Sequence, residues 1–88
     1  MIKWNDVLEL AKGALTDEQM RELTRLEVAG NPAAIRLVVQ IVVRAEKEAL
    51  ESVYNGDCDM AVFSHYKLVR DFGNKYRDYN DEKYAIGS

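Results

Sequence analysis

Residues 32–54 form the segment that most limits how this chain can fold: 23 positions without a glycine, opened by Asn31-Pro32 and closed by Asn55-Gly56. A proline at the first helical position loses no needed hydrogen bond, and asparagine is a good N-cap. Asn and Gly both tolerate the left-handed backbone that ends a helix. The segment therefore reads as one long helix, roughly 34 Å at 1.5 Å per residue. In its first half Ile35, Leu37, Val38, Val39, Ile41, Val42 and Val43 are apolar, and the polar Arg36, Gln40, Arg44, Lys47 and Glu51 keep to one stripe. A helix this greasy around its girth is expected at the centre of the domain, covered on most sides, and its girth exceeds what three short helices can cover, so part of it is expected to meet another chain.

The run Leu37-Val38-Val39-Gln40-Ile41-Val42-Val43 is also β-branched enough for a buried strand. The helix is the better reading because the pattern continues unbroken through Ala45, Ala49, Leu50 and Val53.

The rest of the chain follows the same punctuation. Trp4, Val7, Leu8, Ala11 and Leu15 recur at helical spacing, with Asn5 as the expected N-cap and Gly13 as the end of a short first helix. Thr16-Asp17-Glu18-Gln19 fits a capping box, with Leu15 and Met20 placed to staple it. The second helix turns Met20, Leu23 and Leu26 inward and stops at Gly30. Asp57 or Asp59 caps the fourth, whose expected inward positions are Ala61, His65, Leu68, Val69, Phe72, Tyr76 and Tyr79. Gly73 inside it marks a kink or a close helix–helix approach.

The expected fold is all-α: a small four-helix bundle with helices near 5–13, 17–29, 32–54 and 59–79, the first short and the other three an antiparallel core. A single domain would span 1–80, followed by a polar tail over 81–88 that frays.

At 88 residues, such a domain buries only about 60–65% of its unfolded surface, so self-association or a partner would help it. The net charge of −3 gives no general attraction to nucleic acid. One cysteine excludes an internal disulfide and fits a reducing compartment. No apolar stretch approaches the roughly 20 residues that cross a bilayer. The first residues reach acids before any apolar run, unlike a secretory signal. The chain reads as cytoplasmic, with no membrane role.

Chemistry finds little to hold. Cys58 and His65 are too few for a structural zinc site, and on one helix they would lie about 10 Å apart. Asp57-Cys58-Asp59 lacks the glycine and glutamate of a calcium loop. His65 has Ala61, Val62, Leu68 and Val69 at helical spacing, with no orienting carboxylate among them. Acids flank Cys58 and oppose an activated thiolate. No catalytic, cofactor or metal residue is expected.

Contact residues are a different matter. From His65 to Arg77, Lys67, Arg70, Lys75 and Arg77 face one acid, Asp71, a local +3 interleaved with Tyr66, Phe72 and Tyr76. Bases and stackable rings suit a single strand or a nucleotide. Yet the region from 55 to 88 sums to −1. Tyr66, Tyr76, Tyr79 and Tyr84 are more hydroxyls than a small core easily satisfies, and tyrosine with arginine favours protein interfaces. The expected partner-binding residues are Tyr66, Arg70, Tyr76, Arg77 and Tyr79, on the outer side of the fourth helix. A protein partner or self-association comes first, and nucleic acid or nucleotide second.

The layout from Met20 to Tyr79 resembles short phage-encoded helical proteins of the virion-assembly and accessory kind. Leu23, Leu26, Val53, the turn Asn55-Gly56-Asp57 and Tyr66-Lys67-Leu68-Val69-Arg70-Asp71 carry the likeness; the valine-rich middle of the third helix departs from it. The resemblance implies a small adaptor in a larger assembly, located in a host cytoplasm or a virion, or an inhibitor of a host protein. It transfers no site residue.

Overall fold

Four helices follow one another in the computed structural model, which describes residues 1–85: α1 (Trp4–Ala14), α2 (Asp17–Val28), α3 (Ala33–Tyr54) and α4 (Met60–Ala85). No strand occurs among the described residues, so the valine run of α3 is coiled rather than extended.

Local chemistry explains the boundaries. The Thr16 Oγ1 accepts from the Gln19 N–H at 3.1 Å, and the Thr16 N–H donates back to Gln19 Oε1 at 3.0 Å. This is the expected capping box. Gly30 (φ +66) and Gly56 (φ +75) both take the left-handed conformation. Beyond them the Asn31 N–H reaches the Leu26 carbonyl at 2.9 Å, and the Asp57 N–H reaches that of Ser52 at 3.0 Å. Both ends are Schellman motifs. The Asn31 Oδ1 accepts from the Ala33 N–H and the Asp59 Oδ1 from the Ala61 N–H, each at 2.9 Å.

Two boundaries differ from expectation. The first helix starts at Trp4, with the Lys3 N–H donating to Asp6 Oδ2 at 3.2 Å, so Asn5 lies inside the helix and caps nothing. The fourth continues past Tyr79 to Ala85. Its polar end has partners in other parts of the fold. Glu82 Oε2 accepts from the Ile2 N–H at 2.8 Å, and Lys83 Nζ reaches Glu27 Oε1 of α2 at 2.9 Å. Residues 86–88 of the expected tail lie outside the described residues.

Packing places α4 against both α3 and α1, while α2 leans on α3 and touches α1. The core gathers Val7, Ala11 and Leu15 of the N-terminal region, Leu23 and Leu26 of α2, Val38, Ile41 and Ala45 of α3, and Val69, Phe72 and Tyr76 of α4. An aromatic group ties α1 to the second half of α4. The Trp4 ring lies 5.5 Å from Tyr79 and 6.5 Å from Tyr76, and Phe72 lies 6.4 Å from Tyr76. Such tilted and edge-on pairs suit ring quadrupoles.

The third helix is not the covered centre. With 11 and 12 residues, α1 and α2 are too short to follow α3 and α4, which have 22 and 26. The molecule is accordingly elongated, 47 × 23 × 20 Å. Its radius of gyration is 14.0 Å, against about 12 Å for a compact chain of this length. For the same reason Ala61, His65 and Leu68 are exposed rather than inward, since α1 covers only the later half of α4.

Candidate functional site

The distal half of the α3–α4 hairpin is held together by small residues. Ala45, Ala49 and Ser52 are the buried positions of α3 beyond Ile41. Ser52 organises the turn: its Oγ accepts from the Asp59 N–H at 3.0 Å, and its carbonyl takes the N–H groups of Asp57 and Cys58. Closer to the middle, α4 has no side chain at Gly73, where an added Cβ would sit 2.7 Å from Val42 Cγ2. Small residues let the two helices approach closely, so the larger apolar side chains of α3 are left on its outer side.

These outward side chains form a line. Val39, Val43, Leu50 and Val53 are 54, 58, 55 and 52% exposed, and Tyr54 is 92% exposed. With Arg36 and Glu46 they mark one helical stripe at spacings of three and four. The core-facing positions Ala34, Val38, Ile41, Ala45, Ala49 and Ser52 form a second stripe on the same helix. The proximal part of the outer stripe is one wall of a groove of about 230 Å³ between α3 and α4. Its floor and walls include Ile35, Val38, Val39, Val42, Val43 and Gly73, with Arg70, Asn74 and Arg77 on the α4 rim. The rim is thus cationic over an apolar floor. The opposite end of the hairpin is anionic, carrying the exposed Asp57 and Asp59.

The five residues expected to meet a partner divide. Arg70 and Arg77 are exposed on the groove rim. Tyr66 is half-buried and packs against the core. Tyr76 is interior, 1% exposed, and its hydroxyl donates to Glu27 Oε2 at 2.8 Å, so it belongs to the core and not to the outer side of α4. Tyr79 is half-buried beside Trp4. The side chain of Tyr84 lies outside the described residues. The expectation counted tyrosine hydroxyls without a partner for them, and Glu27 is that partner for Tyr76. Sequence reasoning missed Val39, Val43 and Gly73 as the groove itself. The available signal was the second apolar series 39, 43, 50, 53, offset from the core series.

A second concavity, an open cleft of about 690 Å³, lies where the α1–α2 corner meets α3 and α4. Its lining includes His65, Arg44, Glu48, Gln19 and Thr16. A histidine and a carboxylate therefore share this cleft, a neighbour that helical spacing along α4 alone did not reveal. No hydrogen bond joins them among the described residues, and the Thr16 hydroxyl is already engaged as a helix cap. A nucleophile held by a base, which acyl or phosphoryl chemistry requires, is not assembled there. Cys58 is exposed on the turn, and no group of three potential metal ligands occurs among the described residues. No helix of the described residues is long and apolar enough to cross a membrane.

Comparison with known protein families, characterised proteins and solved structures found no match, so the functional reading rests on this chain's residues and their geometry.

Proposed function

We propose that the protein is a non-enzymatic interaction or assembly module, a small helical bundle that works with the outer side of its α3–α4 hairpin covered by another polypeptide. One observation supports this above the rest: four large aliphatic side chains in line on α3, each more than half exposed. Scattered surface leucines need no explanation, but four exposed aliphatic side chains in one line, broken only at Glu46 and lying beside a groove, do. The adaptor role within a larger, phage-type assembly is the form of this reading that the sequence layout suggests, in a host cytoplasm or a virion. Inhibition of a host protein would use the same surface.

Binding of nucleic acid or a nucleotide is the weaker reading. Its stacking platform would be Tyr66, Phe72 and Tyr76, yet Phe72 and Tyr76 are interior. Arg70 and Arg77 remain, without flat rings between them to hold bases.

The test is photocrosslinking in the native host, with a photoreactive residue placed at Val43, at Leu50 or, as a control, at the exposed Lys12 of α1. Polypeptide adducts at Val43 and Leu50 but not at Lys12 are the expected result. Absence of adducts at both stripe positions would overturn the reading.

A further inference from the structure

We propose that the polypeptide covering the α3–α4 groove is a second copy of this chain, packed in the opposite direction so that the turn end of each hairpin lies on the groove end of the other. This rests on the interaction reading above and specifies its partner. The argument is charge complementarity between the two ends of the hairpin. At the groove end, Val39 and Val43 lie between Arg36 on α3 and Arg77 on α4. At the turn end, Leu50, Val53 and Tyr54 lead to the exposed Asp57 and Asp59. Glu46 on α3 and Arg70 on the α4 rim lie between the two ends. Reversing one copy over another sets Val39 and Val43 against Val53, Tyr54 and Leu50, and brings the arginines to the aspartates. A parallel pairing would instead set arginines on arginines and aspartates on aspartates.

A two-fold axis makes every such contact occur twice, as an isologous interface requires. Within its own chain Arg77 is only loosely engaged: its Nε lies 3.9 Å from Asp78 Oδ1, with both side chains more than half exposed. The face is also large enough. Two helices about 9 Å apart and about 33 Å long offer on the order of 600 Å² per copy, and the doubled figure exceeds the roughly 1,000 Å² expected of a specific interface. Paired this way, the two arms become four helices in two layers, and small residues inside each arm leave the large ones to meet in the middle.

The experiment measures solution mass by light scattering on the full chain, from micromolar to millimolar, with circular dichroism to confirm the fold. The unaltered chain is expected at twice 10.1 kDa. Val43→Glu is expected at the single mass with unchanged helicity. Arg77→Asp and Asp57→Arg should each weaken pairing at least tenfold, because each homodimer then carries two like-charge contacts. Mixing these two variants should restore the double mass, because in the mixed pair both contacts are opposite in sign. A chain that stays at the single mass at millimolar concentration overturns the proposal. So does a dimer whose two charge variants fail to rescue each other. Crosslinks from Val43 to a different protein, with this chain monomeric, would sink the second copy while leaving the interaction reading intact. Absence of any crosslink would sink both.

Discussion

The two ends of the α3–α4 hairpin are built on opposite plans. At the proximal end, Phe72 and Tyr76 are enclosed by Trp4, α2 and the first half of α3, and the polar atoms buried with them are paired. At the distal end, the small Ala45, Ala49 and Ser52 are the buried positions of α3, while Leu50, Val53, Tyr54 and Met60 point to solvent. Large side chains turned inward stabilise a monomer, whereas the same side chains turned outward stabilise only a complex. On the proposed reading the inward side chains serve folding and the outward ones contact, and substitutions of each kind test that division.

The largest loss is expected at the enclosed end. Phe72→Ala deletes a ring with no solvent exposure, and truncations of this kind cost about 3–5 kcal/mol. A domain of this size has roughly 5–13 kcal/mol in total, so the melting temperature should fall by at least about 12 °C. A drop of a few degrees would show that the aromatic group is not the main support. Tyr76→Phe is the finer probe. It removes the hydroxyl donated to Glu27, a hydrogen bond to a charged group worth about 1.5–3 kcal/mol. Glu27 keeps Lys83 on its other oxygen, which places the expected loss near the lower figure. A melting temperature unchanged from wild type would refute the clasp between α2 and α4.

Where the two plans meet, Gly73→Ala weighs two effects against each other. Alanine gains about 1 kcal/mol of helix propensity over glycine. Its Cβ would sit 2.7 Å from Val42 Cγ2, and valine in a helix has one strongly preferred rotamer, so it cannot swing aside cheaply. Overpacking costs about 1–3 kcal/mol, so the net change is a loss of about 1 kcal/mol. Adding Val42→Ala should relieve the clash, giving a double variant less destabilised than the two single changes sum to. A Gly73→Ala chain more stable than wild type would show that the helices are not in close contact there.

At the distal end Leu50→Gln should leave the dilute monomer within about 0.5 kcal/mol of wild type, because the side chain already meets water. A loss comparable to that of Phe72→Ala would erase the contrast. The same variant at high concentration should lose whatever stabilisation association provides.

How much of this was legible in the sequence depends on how local the determinant is. The Thr16–Gln19 box, the glycines at 30 and 56 and the cap at Asp59 act within a few residues, and each does what its residue type implies. The long α3 and its neighbour Gly73 were legible too, the latter as a close approach. What failed to show was tertiary. Periodicity counts apolar faces but not the helices available to cover them. It therefore placed α3 at the centre and turned Ala61, His65 and Leu68 inward together with Val69, Phe72 and Tyr76, of which only the last three are buried; the count of tyrosine hydroxyls, not the periodicity, put Tyr76 on the outer side. The shortness of the other helices, which left part of the α3 girth to be covered by another chain, proved the stronger argument: helices of 11 and 12 residues cannot shield partners twice as long. The end of α4 was obscured for a related reason, since the partners of Glu82 and Lys83 lie far away in the chain, at Ile2 and Glu27. Of the candidate surface, Arg70 and Arg77 were visible as exposed charges and the apolar girth of α3 as more than the chain could cover, but not which of its residues form the groove.

The smallest effect belongs to a second carboxylate on α2, which isolates what burial adds to a polar contact. Glu27 is clasped under Tyr76 and Lys83, whereas Glu22 pairs with Arg25 at 2.6 Å on the open surface. The hydrogen bond from Arg25 holds the Glu22 carboxyl below its usual value and raises the Arg25 guanidinium above its own. A carboxyl lowered in the folded state favours folding while it is ionised. Its contribution is therefore present above the ordinary glutamate range of about 4.3 and fades as pH falls through the lowered value. The pair is fully solvated and open to screening by salt, so the contribution is small throughout. Glu22→Gln should accordingly melt slightly below wild type at neutral pH and low salt. The two curves should converge in acid, and likewise in high salt. Melts recorded across that pH range check both the sign and the size. A gap that widens in acid, or one at neutral pH as large as that of Tyr76→Phe, would show that exposure does not separate these two carboxylates.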